Sequence, residues 1–275
     1  MSNSPHPRTV IVVPCFNEER RLRFAAFESY FSMPGAAHIL FVDDGSRDST
    51  LARLLAFQES HRGSCSVAAL PQNRGKAEAV RQGLLAAIDG GAEIVGYWDA
   101  DLAVPLREIR LMEGVVSRDE ETQIVIGIRL PLLGRRIRRD KLRGTLGRLS
   151  AFVTRTLTRL STRDTQCGAK LFRVNDQIRR CLASRFSSRW LFDVELMLRL
   201  RAVHGDFEQI AYEVPLECWV EQPGSKVRPS SYLSSLWELL RLWWRAGIPA
   251  TPTDDHLELV MQSDRRELRE LRRAA

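Results

Sequence analysis

Asp99 and Asp101 stand two residues apart, separated by Ala100, directly after the apolar run Glu93-Ile94-Val95-Gly96-Tyr97-Trp98. Carboxylates so spaced at a strand end can reach one hard divalent cation, Mg²⁺ or Mn²⁺, together with diphosphate oxygens. Turns are also rich in Asp, so the pair by itself reads equally as a turn. Asp43-Asp44-Gly45-Ser46 follows a second apolar run. It reads as a turn in which Ser46 or Asp48 caps the next helix, and it also sets Asp43 or Asp44 against a nucleoside base or ribose; the two readings are compatible. Asn73-Arg74-Gly75-Lys76 can open a helix whose N-terminus faces phosphate, with Lys76 adding positive charge. Neither GxxxxGK[ST] nor GxGxxG occurs. Cys167 has no His suggested beside it and reads as a small packed residue rather than a nucleophile. The five His are scattered, and none is assigned a role.

These clusters need elements to bring them together. Thr9–Val13, His38–Val42, Ser64–Leu70, Glu93–Trp98 and Thr122–Gly127 read as strands, with helices over about 17–31, 47–61, 75–89 and 105–117. Near-continuous apolar strands alternating with helices indicate a mostly parallel α/β sheet covered on both faces. Ligands of such sheets bind beyond the carboxyl ends of the strands. Asn17-Glu18, Asp43-Asp44, Asn73–Lys76 and Asp99–Asp101 all fall at those ends. That points to a nucleotide-type site.

The second half is less regular. Leu142, Leu146, Leu149, Val153, Leu157 and Leu160 mark one face of a helix over 140–160. A helix over 190–204 and a strand over 207–214 follow, then an aromatic-rich amphipathic helix over 232–246 and a charged C-terminal helix. The 275 residues carry 41 Lys and Arg against 34 Asp and Glu, a net charge of +7. Residues 129–148 hold eight basic residues and one acid, so this segment contains the whole excess. A local cluster of this kind implies an anionic partner, or else a solvated loop. It lacks the interleaved aromatics of single-strand binders, and no zinc-finger or RRM signature occurs, which argues against nucleic acid. Five cysteines without a CxxC pair, and a start without an apolar leader, suggest a reduced, cytoplasmic setting.

The ordered series is more specific than its parts. Val13-Pro14-Cys15-Phe16-Asn17-Glu18, Val42-Asp43-Asp44-Gly45-Ser46, Asn73-Arg74-Gly75-Lys76-Ala77 and Asp99-Ala100-Asp101-Leu102 resemble family 2 glycosyltransferases of the GT-A fold. Asp164–Phe172, Arg189–Leu196 and Trp219–Val227 are similar to the corresponding segments of the dolichyl-phosphate glucosyltransferases. The resemblance implies a Rossmann-like, mostly parallel sheet flanked by helices over 8–230, and an amphipathic, charged helical extension over 231–275. It implies inverting transfer of a hexose, glucose first, from UDP-glucose to a polyprenyl or dolichyl phosphate. A soluble hydroxyl acceptor, or a GDP-mannose-using polyprenyl-phosphate mannosyltransferase, is the alternative. Ala103 stands where the mannosyl enzymes commonly carry Gln, and the membrane helix of the eukaryotic glucosyl enzymes has no counterpart here.

Carried over by position, Pro14, Phe16 and Glu18 line the nucleoside pocket, and Asp43 or Asp44 recognises base or ribose. Lys76 and Ala100 belong to the nucleotide-sugar site; Asp99 lies near ribose and metal, and Asp101 is the principal metal ligand. Arg129 meets donor diphosphate or acceptor phosphate, Asp164 lies near sugar and acceptor, and Gln166 binds the sugar. Arg189, Trp190 and Asp193 form the far wall, and Lys226 closes over the donor phosphates. A hydroxyl acceptor would need a general base, for which Asp164 is the first candidate. Arg135, Arg136, Arg138 and Arg139 would meet lipid headgroups or acceptor phosphate, placing the chain peripherally on the cytoplasmic face of an anionic membrane. The amphipathic stretches 141–160 and 232–246 would lie at that surface or else pack on the domain. Oligomeric state stays open.

Overall fold

A computed structural model describes residues 9–138 and 153–220, together with Gln222, Glu238 and Trp244. Strands β1 (Thr9–Cys15), β2 (His38–Asp43), β3 (Cys65–Ala69), β4 (Ile94–Trp98) and β5 (Ile124–Ile128) coincide with the expected runs to within two residues at either end. With β7 (Ala169–Arg173) and β8 (Ala211–Pro215) they form a seven-stranded sheet in the order β3-β2-β1-β4-β7-β5-β8. Every pairing is parallel except those of β7, which runs antiparallel between β4 and β5. Arg136–Arg138 (β6) and Cys218–Val220 (β9) form a separate parallel pair.

Side chains of β1 alternate between faces: Val10 and Val12 join one core, Ile11 and Val13 the other. On the first face lie α3 (Lys76–Asp89), α6 (Asp176–Ala183) and α7 (Phe192–His204); on the second lie α1 (Phe24–Phe31), α2 (Thr50–Ser60) and α4 (Glu108–Arg118). Leu84 and Phe172 are fully buried on one side, Phe27, Phe41 and Leu54 on the other. Each such side chain contributes about 1.5–3 kcal/mol by leaving water. The covered, parallel sheet expected from the apolar runs is what forms.

Three expectations shift. The helix expected over 17–31 begins only at Phe24. Asn17 adopts a left-handed φ of 50°, and the Asn17 and Glu18 amides donate to the Ser46 and Thr50 hydroxyls, which pulls 17–23 into a turn over β2. The strand expected over 207–214 opens as a helical turn, α8 (Phe207–Ile210), because Asp206 accepts from the Glu208 amide and caps it. The strand β7 falls inside a segment first read only as a motif. Residues 153–158 are helical (α5), and Val153, Leu157 and Leu160 pack on the core, so this described end of the 140–160 helix serves the domain. The rest of that helix, Arg139, Lys226 and the 231–275 extension apart from Glu238 and Trp244 lie outside the described residues. Among the described residues no helix is long and apolar enough to cross a membrane.

Candidate active site

The carboxyl ends of β1, β2, β3 and β4 meet at one rim, and their loops are stitched together by side chain to backbone bonds. The Ser46 amide donates to Asp43 Oδ2, the Arg47 amide to Asn17 Oδ1 and the Glu19 amide to Asp48 Oδ2. Asp44 uses its whole carboxylate on the loop after β3: Oδ1 accepts from the Arg74 amide at 2.7 Å, and Oδ2 accepts from the Gly75 amide and Asn73 Nδ2 at 2.8 and 2.9 Å. Burial raises the Asp44 pKa, and the two amides pull against that rise. The structure thereby separates two residues that the sequence left equivalent. Asp44 holds the loop, whereas Asp43 Oδ1 is buried and accepts no hydrogen bond among the described residues. Pro14 and Phe16 are half-buried beyond and beside Val13, and Glu18 is buried. Arg21 lies between Glu18 and Asp101, at 3.5 and 3.8 Å.

At the end of β4, Asp99 and Asp101 part company. The Asp99 amide donates to the Gly168 carbonyl, and its Oδ1 lies 2.6 Å from Lys76 Nζ. A Cβ on Gly168 would sit 2.1 Å from Asp99 Oδ2, so any larger residue there must displace the Asp99 carboxylate. Asp101 Oδ1 accepts from the Ala103 amide, Leu102 is held at φ 52°, and Arg23 donates to the Asp101 and Leu102 carbonyls. Burial, then the like charge of Asp99, raises the Asp101 pKa. Ala100, between the two carboxylates, has its side chain buried in the apolar cluster on the α1, α2 and α4 face.

Among the described residues no group of three or more His, Cys, Asp or Glu is placed to hold a metal. Two hard carboxylates, one of them raised in pKa by burial and then by its neighbour, nonetheless suit Mg²⁺ or Mn²⁺ when diphosphate oxygens complete the shell.

Behind the carboxylates is a charged network that sequence reasoning missed. Lys170, on β7 beside Tyr97 of β4, is 1% exposed; its Nζ donates to the Cys167 carbonyl at 2.6 Å and lies 3.4 Å from Asp193 Oδ2. Tyr97 donates to Asp193 Oδ1 at 2.5 Å. Asp193, expected on the far wall, is therefore a buried anchor at the start of α7. Lys76 stands over the Tyr97 and Phe192 rings; burial lowers its pKa, but Asp99, Asp193 and Asp101 together more than reverse this, and it is held charged. One signal was available: a lysine within Ala169-Lys170-Leu171-Phe172 must find a counter-charge if that run is a core strand.

The other end of the rim is built from arginine. Arg129 follows β5, and its Nε and Nη2 each lie 2.6 Å from one oxygen of Asp164, while its amide donates to Oδ2. Burial works against the guanidinium charge, and Asp164 more than restores it; the ring of Trp219 lies 5.3 Å away. The Arg129 and Asp164 of the sequence reading are thus brought together, as one bidentate pair. Gln166 is exposed in the turn after Asp164. Arg189 covers Gly75 (φ 92°), where a Cβ would meet the guanidinium at 3.2 Å, and it lines a cleft with Gln72, Arg74 and Arg185. Trp190 is half-exposed, and its amide donates to Glu238. Burial drives the Cys167 thiol up to about 12, in keeping with a packed residue.

Comparison with known proteins agrees with this geometry. Residues 10–178 match the model of glycosyl transferase family 2. The dolichyl-phosphate β-glucosyltransferase of Drosophila melanogaster is 30% identical over 262 residues, covering 89% of this chain and 77% of that one. The enzyme of the same name from Dictyostelium discoideum is 29% identical over 249 residues, covering 86% and 73%. Among solved structures, glucosyl-3-phosphoglycerate synthase from Mycobacterium tuberculosis in complex with UDP has a TM-score of 0.61 at 20% identity, covering 89% and 82%, which shows a shared fold. Its complex with Mn²⁺, UDP and phosphoglyceric acid superposes with a TM-score of 0.60 at 18% identity, covering 89% and 80%. With the family model spanning more than half its length, the chain belongs to glycosyl transferase family 2 and is a glycosyltransferase of the GT-A fold.

Proposed function

We propose that the chain transfers glucose from UDP-glucose to a dolichyl or other polyprenyl phosphate, with inversion at the anomeric carbon, using Mg²⁺ or Mn²⁺ at an anionic membrane surface. The observation that carries the reading is the Arg129–Asp164 pair. Both oxygens of the carboxylate best placed to act as a base are engaged by a guanidinium. An acceptor that arrives already anionic needs no base; it needs orientation and charge neutralisation. The names of the relatives support the glucosyl donor and the dolichyl phosphate acceptor.

In this mechanism Asp43 Oδ1 accepts an N–H of the nucleoside base, beside Phe16. Lys76, held charged by its acidic neighbours, faces the donor diphosphate. Arg129 meets the acceptor phosphate. The acceptor oxygen forms the new bond to the anomeric carbon with its own electron pair, and the bond to the β-phosphate breaks, its electrons leaving with UDP. A divalent cation held by Asp99 and Asp101 would supply Lewis-acid stabilisation of the departing diphosphate. Gln166, in its exposed turn, would bind the sugar; Lys226, outside the described residues, keeps the role the resemblance implies, closing over the phosphates.

A soluble phosphorylated acceptor is the second reading, favoured by the solved neighbour that holds UDP and phosphoglyceric acid. One screen separates them: transfer from UDP-glucose and GDP-mannose to a short polyprenyl phosphate and to soluble phosphorylated hydroxyl compounds, with and without chelator. Metal-dependent glucosyl transfer to the prenyl phosphate is expected. Transfer only to a hydroxyl, or tighter use of GDP-mannose, overturns the reading.

A further inference from the structure

Between β5 and β6 the chain does something that soluble loops avoid. Leu132-Leu133-Gly134-Arg135 forms a tight turn closed by the Arg135 amide on the Leu132 carbonyl at 3.1 Å, with Gly134 at φ 81° in its third position. This turn carries Leu133 at its second position, fully exposed, and leaves Leu132 half-exposed. The tip is anchored at both ends. Leu130 packs on the core; beyond the turn, the Arg136 amide donates to the Glu217 carbonyl at 2.9 Å and β6 pairs with β9. Two leucines are thus displayed on a braced turn.

Their surroundings are cationic. Arg136 is exposed, and Arg135, partly exposed, lies 3.2 Å from Glu217, so one acid offsets part of the charge. The turn sits inside the 129–148 segment, with its eight basic residues and one acid. Apolar side chains followed directly by Arg135 and Arg136, in a segment rich in basic residues, match a surface with anionic headgroups above a hydrocarbon layer. Leu133 is four residues from Arg129, which bounds their separation at roughly 14 Å of extended chain. A phosphate at Arg129 and a tail in the bilayer under Leu133 are therefore within one headgroup's reach.

We propose that Leu132 and Leu133 form an apolar wedge that inserts into an anionic lipid surface and sets Arg129 at headgroup depth. The wedge rests on the polyprenyl-phosphate reading for its purpose, but its test does not use that reaction. Co-sedimentation with phosphatidylcholine vesicles containing rising phosphatidylglycerol compares the full chain with Leu132→Ser/Leu133→Ser and with Leu133→Ser alone. The double variant is expected to lose about tenfold or more in partitioning, and the single variant part of that. Melting temperature and transfer to a short, water-soluble prenyl phosphate are expected to change little, because Leu133 is fully exposed and Leu132 is half-exposed and in neither core cluster. Equal partitioning of wild type and double variant overturns the wedge, as does absence of wild-type binding at low salt. A dimer in solution that the double variant dissociates also overturns it, since the tip would then seat a second copy. Failure of the acceptor reading shows separately, as no transfer by the wild type to any prenyl phosphate.

Discussion

The donor and acceptor ends of the rim use the same residue types to different ends. At β1, β2 and β3 the acids bind backbone amides: Asp44 holds residues 74 and 75, Asp43 holds Ser46, Asp48 holds Glu19 and Thr50. Acids bound to amides fix loop shape and leave the loops' charge negative. At β5 and β7 the acids bind cations instead, Asp164 to Arg129 and Asp193 to Lys170. Acids bound to cations neutralise charge, and at Arg129 the carboxylate also fixes the guanidinium in one orientation. In the proposed mechanism the donor end presents carboxylates to a base, a ribose and a cation, and Arg129 at the acceptor end meets an anion. Asp99 joins the two, taking Lys76 on one side and Gly168 on the other.

The largest effect expected from breaking this arrangement is at Asp101. Asp101→Ala should lower kcat by about a thousandfold while the melting temperature changes little, because the side chain is part exposed at the rim and, in the proposed mechanism, holds the cation. Full turnover of this variant in chelator would remove metal assistance from the mechanism. The donor-end acids should then separate sharply. Asp44→Ala strands two amides and Asn73, and should cost about 3 kcal/mol in urea unfolding. Asp43→Ala loses only the Ser46 amide and should chiefly weaken UDP binding by calorimetry. Equal stability losses would show that both residues are structural.

Sequence reading went furthest where local pattern and tertiary role coincide. Runs such as Val10–Val13 and Ile39–Val42 are buried on both faces and parallel, so composition alone marks them, and each polar cluster falls at a strand's end. The reading stopped where pairing depends on distant residues. Nothing local in Ala169–Arg173 says that it runs antiparallel between β4 and β5, some seventy and forty-five residues back along the chain. Arg129 and Asp164 were each singled out, but their pairing spans 35 residues and no spacing rule reaches that far. Asn17–Arg23 looked helical because propensity is blind to the Ser46 and Thr50 hydroxyls that capture its amides.

The junction itself is tested by Gly168→Ala. The added Cβ would meet the Asp99 carboxylate at a distance no real contact tolerates, so Asp99 must move. A shift of about 1 Å there should cost roughly a hundredfold in kcat, with a modest loss of melting temperature. Unchanged kcat would mean that Asp99 does not need its present position. Asp164→Asn sharpens the acceptor end. If Asp164 only holds Arg129, the amide keeps one hydrogen bond and transfer to prenyl phosphate should fall about tenfold, with an unshifted pH profile. A loss near a thousandfold, with the acidic limb of the profile altered, would make Asp164 the general base.

The smallest effect lies at the amino-terminal end of the strands and concerns stability alone. His38 opens β2, with Nδ1 3.2 Å from the Gly63 carbonyl and Nε2 2.9 Å from Ser66 Oγ. Burial lowers its pKa, and the Gly63 carbonyl restores only part of the drop. A histidine depressed in the folded state binds fewer protons than in the unfolded chain. Its contribution is therefore intact above the ordinary value near 6.5 and is lost as pH falls through that value toward the folded one. His204, at the end of α7, is lowered by burial as well, and its Nε2 is buried without a hydrogen-bond partner among the described residues. Melting temperature followed from about pH 7.5 to 5 should decline less steeply in His38→Gln than in the wild type, by less than about 1 kcal/mol in stability. His204→Gln should change the slope in the same direction. A steeper decline in His38→Gln would mean that the folded protein favours the charged ring, and that the Gly63 carbonyl outweighs burial.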